Sequence, residues 1–91
     1  MKKSIKLLIT GTVQGVFFRD FVGENAKKLK LRGHVRNLDD GRLEVRFEGE
    51  GKDVDEMVEL CKAGPKHASI RRVDVVEEPF QDFKDFKILH I

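Results

Sequence analysis

The sequence predicts an α+β sandwich in which two helices cover one face of a mainly antiparallel sheet. Apolar and polar residues alternate in several short segments, as in strands with one buried face. Two further segments space their apolar residues by three and four positions, as amphipathic helices do. These patterns follow one another as βαββαβ plus a short terminal strand. Because the chain has 91 residues, we expect a single domain over residues 1–91.

The first strand and the first helix are predicted from the N-terminal third of the chain. Residues 5–9 carry apolar side chains at every second position, and Gly11 ends this strand. The helix that follows is predicted to have its exit at Gly33. Its apolar face consists of Phe18, Phe21, Val22, Ala26 and Leu29.

The rest of the chain is predicted to form a hairpin, a second helix and two more strands. Residues 34–47 alternate on both sides of the turn-forming residues 39–41. A helix start is predicted near Asp53 and a helix end at Gly64. The two later strands are predicted over residues 69–77 and 86–88. Because each helix has one apolar stripe to cover, the predicted architecture is the ferredoxin-like α/β sandwich.

Residues 11–19, Gly-Thr-Val-Gln-Gly-Val-Phe-Phe-Arg, link the first strand to the first helix. Glycine at positions 11 and 15 allows the N–H groups of residues 14–18 to point inward at an anion. The helix adds the positive end of its dipole, and Arg19 adds a planar fork that matches phosphate oxygens. From spacing alone, a tight turn followed by a surface arginine is an equally good interpretation. The segment lacks the Gly-Lys-Ser/Thr ending of a nucleotide P-loop, so ATP is not implied.

Asn37 is predicted to approach this segment through the topology of the sheet. In a strand-helix-strand unit the second strand starts at the same edge as the first and runs the same way. The end of the first strand, beside Arg19, and the end of the second, at Asn37, therefore share an edge. Alone, an asparagine near a strand end is ordinary turn chemistry.

Four segments together resemble the acylphosphatase family, in the same order and over nearly the whole chain. They are the V-Q-G-V-x-F-R run at 13–19, the G-x-V-R-N run at 33–37, Asp40-Gly41, and Phe86-Lys87-Ile88. The resemblance implies hydrolysis of acyl phosphates to a carboxylate and inorganic phosphate, without a metal, a cofactor or a phosphoenzyme. It implies that Arg19 binds the phosphoryl group and that Asn37 holds the attacking water.

The resemblance also implies that backbone groups of the loop cradle the phosphate. These groups belong to Gln14, Gly15, Val16, Phe17, Phe18 and Arg19. Phe17 stands where many relatives have a smaller residue, and His34 stands where many have tryptophan. Both departures concern the acyl pocket rather than the phosphate chemistry.

The chemistry of an acyl phosphate suits a site without an acid or a metal. A carboxylate leaving group has a conjugate acid with a pKa of about 4 to 5, so it leaves without being protonated. Phosphoryl transfer then needs mainly positioning and charge stabilisation, which an arginine, amides and an asparagine supply. An alcohol leaving group would need an acid or a metal.

Other polar residues are expected to serve the fold. The three histidines, His34, His67 and His90, lack a metal-ligand spacing. Asp20 is expected to interact with the helix dipole rather than act as a general base. Cys61, the only cysteine, is expected in the core. Asp39 and Asp40 are expected in a solvated turn, and Glu77 and Glu78 at a solvated strand end. The basic residues of the polar helix face and its exit are expected to be solvated as well, and they are Lys27, Lys28, Lys30 and Arg32.

Two other functions compete with this interpretation. Ferredoxin-like sheets also bind RNA through exposed aromatic residues, but this chain has no Tyr or Trp, and Phe47 stands alone among charged residues. Acylphosphatase-like domains also occur as carbamoyl-phosphate-binding modules at the start of larger maturation enzymes. A net charge of +2 and the absence of a long apolar run argue against nucleic acid and membrane partners. We expect a cytoplasmic monomer, with a composition suited to high temperature.

Overall fold

A computed structural model describes residues 1–12, 16–66 and 68–89 and confirms the predicted order of elements. Five strands and two helices follow one another as βαββαββ, and the last strand is the short terminal one that was predicted. The strands are β1 (Lys2–Thr12), β2 (Arg32–Asn37), β3 (Leu43–Glu50), β4 (Ser69–Glu77) and β5 (Phe86–Leu89), and the helices are α1 (Val16–Lys28) and α2 (Gly51–Ala63).

The strands form one sheet in the order β4-β1-β3-β2-β5. β1 pairs antiparallel with both β3 and β4, and β2 pairs antiparallel with β3. Only β5, which lies parallel to β2, departs from this arrangement among the described strands. The predicted ferredoxin-like α/β sandwich with a mainly antiparallel sheet is therefore confirmed.

Both helices pack on the same face of the sheet, where the core lies. The alternating apolar side chains of β1 and β3 point to this face, as the period-2 pattern predicts. They meet one apolar stripe from each helix. The buried core includes Leu7, Ile9, Val35, Leu43, Val45 and Phe47 from the sheet, and Phe18, Val22, Ala26, Val54, Met57 and Cys61 from the helices. Cys61 packs in the core as predicted, and burial raises the pKa of its thiol to about 12.

The prediction that Gly33 marks the exit of the first helix is wrong. Helix α1 ends at Lys28, and Lys30 adopts the left-handed conformation that closes the helix, with φ of 56°. Gly33 lies inside β2, with φ of 149°. A Cβ atom there would overlap the backbone carbonyl of Arg46 on β3. The glycine is therefore required by the close approach of two strands, which its place in the sequence does not reveal.

Helix α2 starts earlier than predicted and ends where predicted. It begins at Gly51 rather than near Asp53, and its N-cap residue, Glu50, makes no side-chain cap hydrogen bond. The N–H of Gly51 donates instead to the carbonyl of Met1 at 2.7 Å. Gly64 ends the helix with φ of 71°, a conformation that glycine adopts at low cost.

The other face of the sheet carries charged side chains and is crossed by residues 78–85, which connect β4 to β5. Glu48 points to this face from β3 and is only 1% exposed. Its carboxylate accepts hydrogen bonds from the backbone N–H groups of Gln81 and Phe83, both at 2.8 Å, and from the Ser4 hydroxyl at 3.0 Å. Glu48 is therefore one anchor of the connection, beside Arg32, whose Nη1 donates to the carbonyl of Phe83 at 3.3 Å, and Glu78, whose carboxylate lies 3.7 Å from Nε of Arg46.

Candidate active site

The edge of the sheet where β1 and β2 end is the candidate active site. Both strands pair antiparallel with β3, so they run in the same direction and finish at the same edge. Helix α1 begins at this edge, directly after β1 and the short segment that follows it. The expectation from topology, that Arg19 and Asn37 belong to one edge, is met by these elements.

Asn37 is the last residue of β2 and points to the helix-covered face. Its Cα pairs with that of Leu43 on β3, and Leu43 pairs in turn with Ile9 on β1. Two strand spacings of about 4.8 Å therefore separate Asn37 from Ile9. The Oδ1 atom of Asn37 is buried and finds no hydrogen-bond partner among the residues that the structure describes. A buried acceptor left unpaired is costly, so such an atom is a candidate to hold a ligand or a water molecule.

Arg19 lies in the first turn of α1 and is partly buried. The helix starts at Val16, so residues 16–19, predicted as part of the loop, form its first turn instead. The N–H groups of a first turn have no partner within the helix and carry the positive end of its dipole. This turn contains no acidic residue. Gln14 and Gly15, the first two predicted members of the phosphate cradle, lie outside the described residues.

Phe17 and Phe18 are neighbours in this turn with opposite environments. Phe18 is 2% exposed and packs edge-on against Phe21, with ring centroids 6.0 Å apart. Phe17 is 86% exposed. The ring of Phe18 therefore belongs to the core, whereas the ring of Phe17 has no packing role in the described part of the chain.

Asp20 lies just beyond the first turn of α1, so it is not placed for the dipole interaction that we predicted. Its side chain is exposed and lines a groove of about 270 Å³ between α1 and β5. Lys27, Phe86 and Ile88 also line this groove.

His34 lies on the opposite face of the sheet from Asn37. Its Nε2 atom is 3.1 Å from Oε1 of Glu44, and its ring packs edge-on against Phe83 at 5.8 Å. His34 is thus a packing residue, as expected of the histidines. The expectation that its identity concerns the acyl pocket is not met, because its side chain lies on the face away from the candidate site. His67 and His90 lie outside the described residues. Among the residues that the structure does describe, no three His, Cys, Asp or Glu side chains cluster as metal ligands do.

Two arginine side chains lie close to the carboxylate of Glu44, beside the end of β2. Its carboxylate accepts a hydrogen bond from Nε of Arg36 at 3.0 Å and one from Nη2 at 3.4 Å, and Nε of Arg46 lies 3.9 Å away. Burial raises the pKa of Glu44, but the bonds from Arg36 and His34 and the charges of Arg36 and Arg46 outweigh it, so this pKa lies below its ordinary value. Glu44 therefore keeps its charge next to the strand that carries Asn37.

The two pairs of adjacent acidic residues, at 39–40 and at 77–78, differ in how far they are exposed to solvent. Asp40 lies in the hairpin turn as predicted, and its carboxylate binds the Arg42 guanidinium at 2.8 Å. Glu77 is exposed, as expected of a strand end. Glu78 is not solvated as predicted, because its carboxylate lies 3.7 Å from Nε of Arg46 and its side chain is mostly buried.

The burial of Glu48 and Glu78 was not predicted from the sequence. Glu48 looks like one of several acidic residues that alternate along a strand, and Glu78 looks like an acidic residue at the end of a strand. Such a pattern is typical of a solvated face. The segment 78–85 covers that face instead. Its Pro79-Phe80 step, with apolar residues at Phe80 and Phe83, is the one signal that could have suggested a covering segment.

The face of the sheet opposite the helices, which we call the open face although residues 78–85 cross it, lacks the aromatic platform of an RNA-binding domain among its described residues. Phe47 points to the helices and is fully buried. The neighbouring positions Glu44, Arg46 and Glu48 point away from the helices and bind one another or the covering segment. Base stacking on this sheet therefore has no side chain to use there.

Taken together, the fold and the site define a ferredoxin-like domain. At one edge it has an arginine, a helix N-terminus and a buried amide oxygen that no described residue binds. The family model described as Acylphosphatase matches residues 5–88. The chain belongs to the acylphosphatase family, and membership makes it a hydrolase that acts on acyl phosphates.

Individual relatives agree with this assignment. An acylphosphatase from Rubrobacter xylanophilus is 52% identical over 77 residues, which cover 85% of this chain and 70% of that protein. The crystal structure of acylphosphatase from Bacillus subtilis matches with a TM-score of 0.91 and 35% identity, over 99% of this chain and all of that one. Full-length HypF in the phosphate- and nucleotide-bound form matches with a TM-score of 0.91 and 35% identity, over 99% of this chain but 12% of that one.

Proposed function

We propose that this chain hydrolyses the carboxyl–phosphate bond of small acyl phosphates without a metal, and that Arg19 and Asn37 are its catalytic residues. The observation that carries this proposal is the buried Oδ1 atom of Asn37, which has no hydrogen-bond partner among the described residues, at the edge where α1 begins. An acceptor at this point is suited to hold a water molecule beside an anion bound by the helix.

The phosphoryl group binds at the N-terminus of α1 in this proposal. Backbone N–H groups of residues 14–19 donate to its oxygens, and Arg19 neutralises its charge from the first helical turn. Support comes from the start of the helix at Val16 and from the lack of an acidic residue in its first turn. Amides at a helix N-terminus and a guanidinium fork are the groups that proteins use for phosphate oxygens.

Asn37 positions the attacking water through its side-chain amide. The oxygen Oδ1 accepts a hydrogen bond from the water, which turns a lone pair of the water toward phosphorus. Preorganisation of this kind lowers the barrier without any proton transfer to the protein. Asn37 lies in one row of paired residues with Leu43 and Ile9, three positions before β1 ends at Thr12, which supports this role.

The leaving group departs unaided. Water oxygen forms the new bond to phosphorus, the bond from phosphorus to the acyl oxygen breaks, and its electron pair stays on the carboxylate. The water proton passes to a phosphoryl oxygen, so the products are a carboxylate and inorganic phosphate. A carboxylic acid has a pKa of about 4 to 5, so no general acid is needed at neutral pH.

The setting of the reaction is also part of the proposal. We propose that residues 1–91 act as one domain, as a cytoplasmic monomer, on a small-molecule substrate, with inorganic phosphate as product and inhibitor and with no nucleic acid or membrane partner. No helix in the described part of the chain is long and apolar enough to cross a membrane. The charged side chains of the open face are paired with one another rather than clustered by sign.

A carbamoyl-phosphate-binding module without turnover is the second candidate. The match to HypF, of which this chain spans 12%, favours considering it. Binding and turnover differ in their need for Asn37, because a module that only binds has no use for an oriented water. Measured turnover separates the two.

The test is phosphate release from acetyl phosphate and benzoyl phosphate, measured in the presence and absence of EDTA. We expect hydrolysis at the same rate in both conditions, with inorganic phosphate as a competitive inhibitor. Loss of activity in EDTA would overturn the metal-free mechanism, and phosphate binding without turnover would favour the binding module.

A further inference from the structure

The exposed ring of Phe17 has no role in the packing of the described residues or in the proposed binding of the phosphoryl group. It is 86% exposed, although it belongs to the first turn of α1, where the phosphoryl group is proposed to bind. Its neighbour Phe18 supplies the apolar contact that the core needs at this turn. An aromatic ring kept in water at the rim of a site is available to a ligand.

The flank of α1 that carries Arg19 faces β5 and β2. Gly23 lies one turn after Arg19 on the same side of the helix. A Cβ atom at Gly23 would lie 3.0 Å from Cδ1 of Ile88 on β5. Ile88 pairs with Val35, two residues before Asn37 on β2. Arg19 and Asn37 are therefore on the same side of the helix start.

Phe17 lies on the opposite flank. At 100° per residue, two positions along a helix correspond to a rotation of about 200°, so Phe17 points away from the side that carries Arg19. Phe18 lies between the two flanks and faces the start of the α2–β4 connection, because a Cβ atom at Gly64 would lie 3.4 Å from its Cε2 atom. Phe17 is thus on the side of the helix start remote from Asn37.

The geometry of the reaction determines where the acyl group goes. In phosphoryl transfer the attacking and leaving oxygens lie roughly in line with phosphorus. If Asn37 holds the water on the β2 side, the acyl oxygen leaves on the opposite side of the phosphoryl group. That side is the flank of Phe17.

We propose that the acyl group of the substrate packs against the ring of Phe17, and that this contact makes the chain selective for large apolar acyl groups, aromatic ones above all. This inference rests on the proposed function, because it requires the water at Asn37 and the phosphoryl group at the helix start. It adds a specificity residue whose side chain, rather than its backbone, contacts the substrate.

The experiment compares kcat/KM for acetyl, butyryl and benzoyl phosphate in the native chain and in Phe17→Ala, Phe17→Leu and Phe80→Ala. Phe80 is the matched control, because it is also an exposed phenylalanine, at 47%, but lies on the connection that crosses the other face of the sheet. The benzoyl-to-acetyl ratio is the readout. It cancels any effect of a substitution on phosphoryl binding that both substrates share.

We expect Phe17→Ala to lower the benzoyl-to-acetyl ratio by about 5- to 10-fold, the scale of one aromatic contact, with butyryl phosphate affected less. Phe17→Leu should fall between, and Phe80→Ala should leave the ratio unchanged. If all three variants keep the native ratio while hydrolysing both substrates, the inference is wrong and the proposed function stands. If the native chain hydrolyses none of the three, both are wrong.

Discussion

The backbone N–H of Phe83 donates a hydrogen bond to Oε2 of Glu48 at 2.8 Å, from the segment that crosses the open face of the sheet to the middle strand beneath it. The other carboxylate oxygen accepts from Gln81 and from Ser4. A buried carboxylate is tolerated only when such partners satisfy it. The carboxylate of Glu48 is therefore an anchor of the segment that leads into β5, beside the backbone hydrogen bond from Gly33 to Asp85.

Glu48→Ala should destabilise the protein by about 2–4 kcal/mol, because it leaves two backbone N–H groups and a hydroxyl without their shared acceptor. The free energy of unfolding in urea measures this effect. The matched control is Glu56→Ala, at an exposed position of α2, which should stay within about 0.5 kcal/mol of the native value. Equal stability of the two variants would show that Glu48 does not anchor the segment.

The free energy of unfolding should fall in acid, because Glu44 becomes protonated there. Its pKa is lower in the folded chain than in the unfolded one, so its ionisation stabilises the fold above the unfolded pKa of about 4.3, and this contribution is lost as the pH drops through the folded pKa. Glu44→Gln should be less stable than the native chain at neutral pH and should lose less on acidification. Thermal midpoints at about pH 7 and about pH 3 measure both effects. Parallel pH profiles for the native chain and Glu44→Gln would contradict the assignment.

Alkyl phosphate monoesters should be poor substrates, with kcat/KM lower than for acetyl phosphate by about 100-fold or more, because neither Arg19 nor Asn37 can protonate an alkoxide. Phosphate release from the two substrate classes under the same conditions measures the difference. Comparable rates would mean that an acid acts at this site. Asp20, exposed one position after Arg19, would then be the first residue to replace.

The thermal midpoint should lie above the mesophile range of about 45–65 °C. Two Asn, two Gln and one Cys against eighteen Lys and Arg and sixteen Asp and Glu are a composition typical of heat-stable proteins. A calorimetric scan measures the midpoint, and a value inside that range would contradict this prediction.

Local patterns predicted most of the fold, because its strands and helices each bury one face. The alternation at Leu7 and Ile9 and the stripe through Val54 and Cys61 gave the elements and their order. Contacts between distant segments were not predictable in the same way. Gly33 is a glycine because of the Arg46 carbonyl on a neighbouring strand, and the pattern around it is that of a helix exit.

The candidate site was predictable to the level of its edge. The strand-helix-strand order is sufficient to predict that the elements of Arg19 and Asn37 meet at one edge, because it fixes the direction of both strands. The split between Phe17 and Phe18 was not predictable, because two adjacent phenylalanines at the start of a helix look alike until the direction of the core is known. Glu48 was hidden for a similar reason, since the segment that buries it lies some thirty positions further on.

The most direct test of the central claim is the comparison of Arg19→Ala with Asn37→Ala, with circular dichroism to confirm folding. Arg19→Ala should abolish both phosphate inhibition and turnover. Asn37→Ala should keep a near-native inhibition constant for phosphate while kcat falls on the order of 10²-fold or more, the scale of one lost preorganised polar group. If Asn37→Ala weakens phosphate inhibition as much as Arg19→Ala does, or leaves kcat unchanged, then Asn37 does not hold the attacking water.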